Sequence, residues 1–242
     1  MLTLYNTNHS TCSQKARIAL QEKGLAFKDH QISLRDLEQF SDWYMKLNPN
    51  GVVPTLVHDD KVIIESTVIA EYVDDAFGGV KLTPEDPYQR ARMRVWRQYI
   101  DEVPTVAVRV PSFNLYLLPK FLATNENWLD TRKEKTPLRK SVLRRMDKNG
   151  FPKEEMDDAR DKLRQTVERM SKTLESGPWL AGEQFTLADI YMTPNLVRLE
   201  DLGLAEIWAD LPRVKDWYAR IQARPSFAKA YYEGSRIVMP KR

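Results

Sequence analysis

The sequence predicts an α/β domain followed by an all-α domain. Three observations carry that expectation. Strand-, helix- and strand-forming runs succeed one another within about thirty residues at the start, which is a βαβ unit. No strand pattern recurs after residue 82. Charge divides near residue 80: residues 1–80 hold 7 Lys and Arg against 11 Asp and Glu, net −4, and the remainder holds 30 against 23, net +7. A chain of 242 residues has room for two domains of ordinary size. They are placed at 1–80 and 89–242, joined by a linker at 81–88.

Leu2 to Tyr5 is a short apolar strand, and Ala16 to Lys23 a helix that Gly24 is placed to end. Between them lies the turn Asn8-His9-Ser10-Thr11-Cys12-Ser13. Ser10, Thr11 and Ser13 can each accept a hydrogen bond from the free N–H groups of the first helical turn. The same amides and the helix dipole favour an anion such as a thiolate or phosphate; plain capping is the simpler role. Phe27 to Ile32 is the second strand, reached by a right-handed crossover. Leu37 to Leu47 reads as a short irregular helix ended by the turn Asn48-Pro49-Asn50-Gly51. Val52 to Val57 and Lys61 to Ile64 form a hairpin turning at Asp59-Asp60. Pro54 removes a ladder donor, so it belongs at a strand start or edge. A cis Val53–Pro54 bond would turn the Val53 N–H and C=O outward, towards a peptide ligand; an edge-strand proline is the alternative. The domain closes with the helix Thr67 to Phe77, for which Ser66 is the N-cap candidate. Free amides there suit a ligand carboxylate, and Glu65 suits a ligand ammonium.

Thr83-Pro84-Glu85-Asp86-Pro87 is the linker's polar core. Arg90 to Val103 is a helix with Ala91, Val95, Tyr99 and Val103 on one face. Pro104, Pro111 and Pro119 kink or break the largely apolar stretch after it. Thr131 to Lys148 carries eight Lys and Arg against two acids. It reads as a solvated insertion, the alternative being a basic rim that attracts anionic substrates. Lys153 to Leu174 is a long helix. Thr186 and Asp189 form a capping-box variant ahead of the helix Ile190 to Leu199, and Leu211-Pro212 and Arg224-Pro225 introduce two short last helices.

An apolar share of 42% and a charged share of 29% are those of a soluble globular protein. No run approaches the roughly 20 apolar residues of a membrane helix, and the first ten residues have no secretory pattern. The single cysteine, Cys12, excludes an internal disulfide and a multi-cysteine metal site and fits a reducing, cytoplasmic setting. His9, His30 and His58 lack metal-ligand spacing, so no metal is expected. Basic residues interleave with acids along most of the second half, and no phosphate-binding loop is present. Neither a nucleic-acid nor a nucleotide partner is implied.

Taken in order, the Ser10-Thr11-Cys12-Ser13 turn, the Val53-Pro54 pair and the Glu65-Ser66-Thr67 helix start resemble the glutathione transferase superfamily over essentially the whole chain. The Thr186-to-Asp189 helix start matches that family's second domain. The resemblance implies a thioredoxin-like first domain, a helical-bundle second domain, glutathione as cosubstrate and a homodimer. It implies a cis Val53–Pro54 bond, with the Val53 backbone holding the cysteinyl part of glutathione and Glu65 and Ser66 holding its γ-glutamyl end. Gln39 lies where the family places a contact to the glycyl carboxylate, and Lys46 is the alternative cation. Ser41-Asp42-Trp43, Arg94-Val95-Trp96, Asn149-Gly150-Phe151-Pro152 and the basic tract are similar to the bacterial β-aryl-etherase branch, whose members cleave lignin-derived aryl ethers. The Ser-Thr-Cys-Ser turn also resembles that of the zeta class, whose members isomerise maleylacetoacetate. General conjugation and a non-catalytic glutathione-binding protein are further readings.

For a transferase the thiol must be activated, since the thiolate is the nucleophile and a free thiol has a pKa near 8.5. Lowering that by about two units needs roughly 2.7 kcal/mol. One hydrogen bond to the charged sulfur supplies roughly 1.5–3 and a helix N-terminus about 0.3–1. A single hydroxyl therefore suffices. Ser10 aligns with the serine-type classes, Ser13 with the etherase pattern, and Cys12 would matter in a cysteine-type member. The aromatic electrophile is expected between the domains, against Val106, Phe113, Tyr116 and Leu117.

Overall fold

The computed structural model describes residues 1–239. Its first half is built on a four-stranded sheet in the order β2–β1–β3–β4. β1 (Leu2–Asn6) runs parallel to β2 (Lys28–Gln31) and antiparallel to β3 (Thr55–His58), which pairs antiparallel with β4 (Lys61–Ile64). The register sets Leu4 opposite Leu56 and Leu56 opposite Ile63. α1 (Thr11–Glu22) and α3 (Ser66–Ala76) bury their apolar sides on this sheet, and Leu2, Leu4, Ala16, Leu20, Leu56, Ile69 and Val73 form one core. The short α2 (Asp42–Leu47), preceded by a 3₁₀ turn at Glu38–Phe40, lies between β2 and β3. This is the α/β architecture the sequence predicts.

Three boundaries differ from the sequence expectation. α1 begins at Thr11, five residues early, because Ser10 caps it: its Oγ accepts the Ser13 N–H at 3.2 Å. β3 begins only at Thr55, after Pro54, which has no N–H to give the ladder. α3 begins at Ser66, so Glu65 holds the cap position with φ 68° and ψ 120°. That conformation is costly for a residue with a Cβ.

From α4 (Pro87–Glu102) onward every element is helical. Asp86 caps α4 by accepting the Gln89 N–H at 2.8 Å, with Pro87 in the first helical position. Its buried face is Met93, Trp96 and Ile100. The expected stripe Ala91, Val95, Tyr99, Val103 is corrected, since Val95 is 56% exposed. Two phases of the same period competed, and the larger side chains went inside. Pro104, Pro111 and Pro119 divide the next stretch into α5 (Pro104–Ala107), α6 (Arg109–Ser112), a π turn at Phe113–Leu117 and α7 (Leu118–Leu122). α8 (Trp128–Lys135), α9 (Lys140–Leu143) and α10 (Lys153–Thr173) come next. α11 (Leu187–Asp201) is the central shaft, buried at every position from Leu187 to Leu199. A 3₁₀ turn at Ala205–Trp208, α12 (Pro212–Gln222) and α13 (Pro225–Ala230) close the bundle.

The basic tract is solvated only in part. Thr136, Leu143 and Met146 are buried within it, as are Trp128 and Leu129 just before it, while Lys135, Lys140, Arg144, Arg145 and Lys148 are exposed. Asn114, on the π turn, clamps the tract's far end: its Nδ2 donates to the Phe151 carbonyl at 3.0 Å, and its Oδ1 accepts the Phe151 N–H at 2.8 Å. Gly150, at φ +106°, permits this approach, since a Cβ there would run into the Asn114 amide. Trp128 Nε1 reaches across to the Leu34 carbonyl at 3.3 Å. Within the tract itself, Pro137 lies beside Gly51 of the first domain. Elsewhere the halves are joined by Arg224–Glu22, at 2.6 and 2.7 Å, and by Lys15–Asp101 at 2.9 Å.

Candidate active site

A cavity of about 310 Å³ opens between the two halves. The turn after β1, the Ile32–Arg35 segment and Gly51 to Val53 form one wall. Residues of α5, α6, the π turn and α7 form the other, with Arg132, Arg139 and Arg198.

Two buried guanidiniums shape the turn. Arg17 donates to Asn6 Oδ1 at 2.7 Å, to the Asn8 carbonyl at 2.9 Å and to the Ala230 carbonyl at 3.1 Å. Arg198 reaches from α11 to the His9 carbonyl and to Ser112 Oγ, the latter at 3.0 Å. Burial lowers the pKa of both, that of Arg198 to about 10, so Arg198 stays charged at neutral pH. Their effect is to tie down the carbonyls of Asn8 and His9 just ahead of α1. Ser10, Thr11 and Cys12 border the cavity, and the Thr11 and Cys12 amides have no acceptor among the described residues. Ser10 Oγ accepts from the Ser13 N–H, which leaves its own O–H free to donate. Ser13 is fully buried, and its Oγ accepts the Thr7 N–H at 3.2 Å. It braces the β1–α1 junction and does not border the cavity. Cys12 lies within electrostatic reach of Arg109 and Arg198.

The Val53–Pro54 peptide is cis. Val53 borders the cavity, and its N–H and C=O have no protein partner among the described residues. The segment is fixed from behind, where the Tyr44 hydroxyl and Asn48 Nδ2 donate to the Val52 carbonyl at 2.8 and 2.9 Å. Gly51, at φ +59°, packs so closely that a Cβ would run into the Phe40 ring. An unpaired N–H and C=O on a rigid edge suit an extended peptide, so this wall fits glutathione. Glu65 and Ser66 lie at the start of α3, outside the cavity lining. Glu65 Oε1 accepts from Asn50 Nδ2 at 3.1 Å, and the Ser66 and Thr67 amides have no acceptor among the described residues.

Gln39 and Lys46 do not border the cavity. Gln39 is fully buried with both amide atoms unpaired among the described residues, and Lys46 is exposed on α2. On the opposite wall Phe113, Tyr116 and Leu117 border the cavity as expected, but Val106 is 43% exposed on the far side of α5. The break after Glu102 turns α5 so that Thr105 and Val108 face inward instead.

Among the lining residues that sequence reasoning missed are His9, Arg109, Arg132, Arg139 and Arg198. A lone cation within the apolar run of α11 was a usable signal for Arg198. Nothing distinguished Arg132 and Arg139 from their basic neighbours. His9 packs edge-on to Tyr116 at 6.2 Å, and burial, then Lys120 and Arg198, lower its pKa, so it is neutral at pH 7. Among the described residues, no group of three His, Cys, Asp or Glu is placed to hold a metal, and no helix is long and apolar enough to cross a membrane.

Comparison with known proteins places this geometry in a family. The model described as "Glutathione S-transferase, N-terminal domain" matches residues 9–76, and the corresponding C-terminal domain model matches 153–220. Protein LigF of Sphingobium sp. strain SYK-6 is 33% identical, the match covering all of this chain and 97% of LigF. The crystal structure of beta-etherase LigF superposes with a TM-score of 0.85 over 95% of this chain and 98% of that one. Tetrachloro-p-hydroquinone reductive dehalogenase of Sphingobium chlorophenolicum is 28% identical over 95% of each chain. With both domain models matched and a relative one-third identical from end to end, the chain belongs to the glutathione S-transferase family.

Proposed function

We propose that this glutathione transferase cleaves β-aryl ethers. The observation that carries the reading is the convergence on one cavity of the Ser10 hydroxyl, the free Thr11 and Cys12 amides and the unpaired Val53 backbone, opposite an apolar wall of Val108, Phe113 and Leu117. Identity of 33% with the beta-etherase LigF supports it. Bound along Val53, with its γ-glutamyl end at Glu65 and Ser66, glutathione supplies a thiolate for displacement at the ether carbon. Ser10 donates to the sulfur, and the α1 amides add the helix dipole. The carbon–sulfur bond forms as the carbon–oxygen bond breaks. The electron pair leaves on the aryloxide, which takes a proton from solvent to become the phenol. An adjacent ketone lowers the barrier. His9, neutral, and Tyr116 border the space where that ketone would lie.

The direct test is incubation with glutathione and a fluorogenic α-aryloxy ketone. Release of the phenol with one glutathione thioether per turnover is expected. No phenol, with turnover of a generic electrophile, would leave a transferase of another substrate class. The Ser10-to-Ser13 turn also supports a zeta-like isomerisation, in which glutathione is regenerated and no thioether accumulates.

The division at 81–88, a cytoplasmic location and a homodimer belong to the same reading. Glutathione transferases dimerise as a family, and the exposed Val68 on α3 and Tyr88 and Val95 on α4 offer apolar surface for it. Light scattering at micromolar concentration should give about twice the 28.2 kDa of one chain. A mass near one chain contradicts the dimer.

A further inference from the structure

Six cationic side chains border the cavity, Arg35, Arg109, Lys120, Arg132, Arg139 and Arg198, and no Asp or Glu does. Three of the six are engaged within the protein. Arg35 pairs with Asp36, Lys120 donates to the Tyr116 hydroxyl at 2.9 Å, and Arg198 holds the His9 carbonyl and Ser112 Oγ. Arg109, Arg132 and Arg139 have neither a hydrogen-bond acceptor nor a carboxylate among the described residues. The Arg132 guanidinium lies over the Trp128 ring at 5.0 Å and the Phe113 ring at 5.9 Å, and its Nε is buried without a partner.

Such an arrangement is expensive. Three like charges share one partly desolvated space, where repulsion is stronger than in water. Burial and mutual repulsion lower Arg109 and Arg132 to about 10, both in the direction that disfavours charge. Structural arginines normally avoid this by pairing. Unpaired basic groups aimed into a cleft instead indicate a missing anion. The residue type narrows it further, because the planar guanidinium fork matches a carboxylate, and Arg132 presents its fork beside the Trp128 and Phe113 rings.

We propose that Arg109, Arg132 and Arg139 form a carboxylate subsite in the electrophile half of the cavity, so that the enzyme's electrophile is an aromatic acid. This names the substrate class of the transferase reading above and rests on it. The basic tract then acquires a role: the Asn114–Phe151 clamp and the buried Trp128 hold Arg132 and Arg139 over the cavity.

The test is calorimetric, on the full chain saturated with S-methylglutathione, with 4-phenoxybenzoate and its isosteric neutral amide as probes. The benzoate should bind at least tenfold more tightly than the amide. Arg139→Gln should collapse that ratio to near one, and Arg139→Lys should restore part of it. Arg132→Gln risks the Trp128 packing, so Arg139, which makes no contact of that kind, is the informative position. Raising salt should weaken the benzoate and not the amide. Equal binding of the two probes, or no detectable binding of the benzoate, overturns the proposal. A carboxylate could also come from the glycyl end of glutathione. If Arg139→Gln weakens S-methylglutathione tenfold but spares the benzoate, that end is the anion and the proposal is likewise overturned. Because binding is read, failure to cleave an aryl ether would remove the etherase reading and leave this one standing.

Discussion

Ser10→Ala should lower turnover at neutral pH roughly ten- to hundredfold while leaving most of the glutathione affinity in place. In the proposed binding mode the tripeptide is held along Val53 and at Glu65 and Ser66, none of which Ser10 touches. What disappears is one hydrogen bond to the sulfur, about 1.4–2.7 kcal/mol when only the thiolate benefits, which raises the bound thiol's pKa by one to two units. Activity should then recover as pH rises, because the thiolate forms unaided. Ser10 also caps α1, so the variant should lose about 1 kcal/mol of stability. Ser13→Ala should behave differently. Its Oγ is the acceptor for the part-buried Thr7 N–H, so the loss should fall on stability, about 1 kcal/mol, with the pH profile unmoved. The measurement is the pH dependence of kcat/KM for both variants. A shifted profile for Ser13→Ala and an unchanged one for Ser10→Ala would reverse the assignment.

Asp189→Ala should be the most destabilising single change, about 3 kcal/mol or more. The Asp189 carboxylate accepts from the Leu180 N–H at 3.0 Å, the Thr186 N–H at 3.0 Å and Trp217 Nε1 at 2.8 Å, and all four residues are buried. Removing it strands three buried donors, each costing about 1–3 kcal/mol, and takes away the Asp189 half of the α11 capping box. Burial pushes the Asp189 carboxyl up to about 6, against the lowering effect of those donors. A carboxyl whose folded pKa lies above its unfolded value stabilises most when protonated, and that contribution fades as pH rises through the folded pKa. From pH 5 to pH 8 the loss is about 1 kcal/mol for a pKa moved from 3.8 to about 6. The stability gap between parent and Asp189→Ala, measured by urea unfolding, should therefore be wider at pH 5 than at pH 8. A gap that widens with pH contradicts the raised pKa.

Much of this was legible from local chemistry. Strand alternation, Gly24 and the prolines are local signals, and they place β1, the end of α1 and the broken stretch after α4 correctly. The Thr186–Asp189 spacing identified the α11 capping box for the same reason. The phase of α4 was not legible, because Val95 and Trp96 are both apolar and only packing against the rest of the bundle chooses between them. Ser10, Cys12 and Val53 were found because short motifs mark them. Val106 was misplaced because the rotation of α5 after Glu102 depends on a break whose angle no periodicity encodes. The arginines were missed for a third reason. A basic tract looks solvated in sequence, and only the Asn114 clamp, thirty-seven residues away from Phe151, folds it inward.

The central claim is that the N-terminus of α1, with Ser10, converts bound glutathione to its thiolate. Thiolate absorbance titrated in the parent protein–glutathione complex tests it without any electrophile. A bound pKa about two units below the roughly 8.5 of a free thiol is the predicted result. A bound thiol that titrates near 8.5 would contradict the claim.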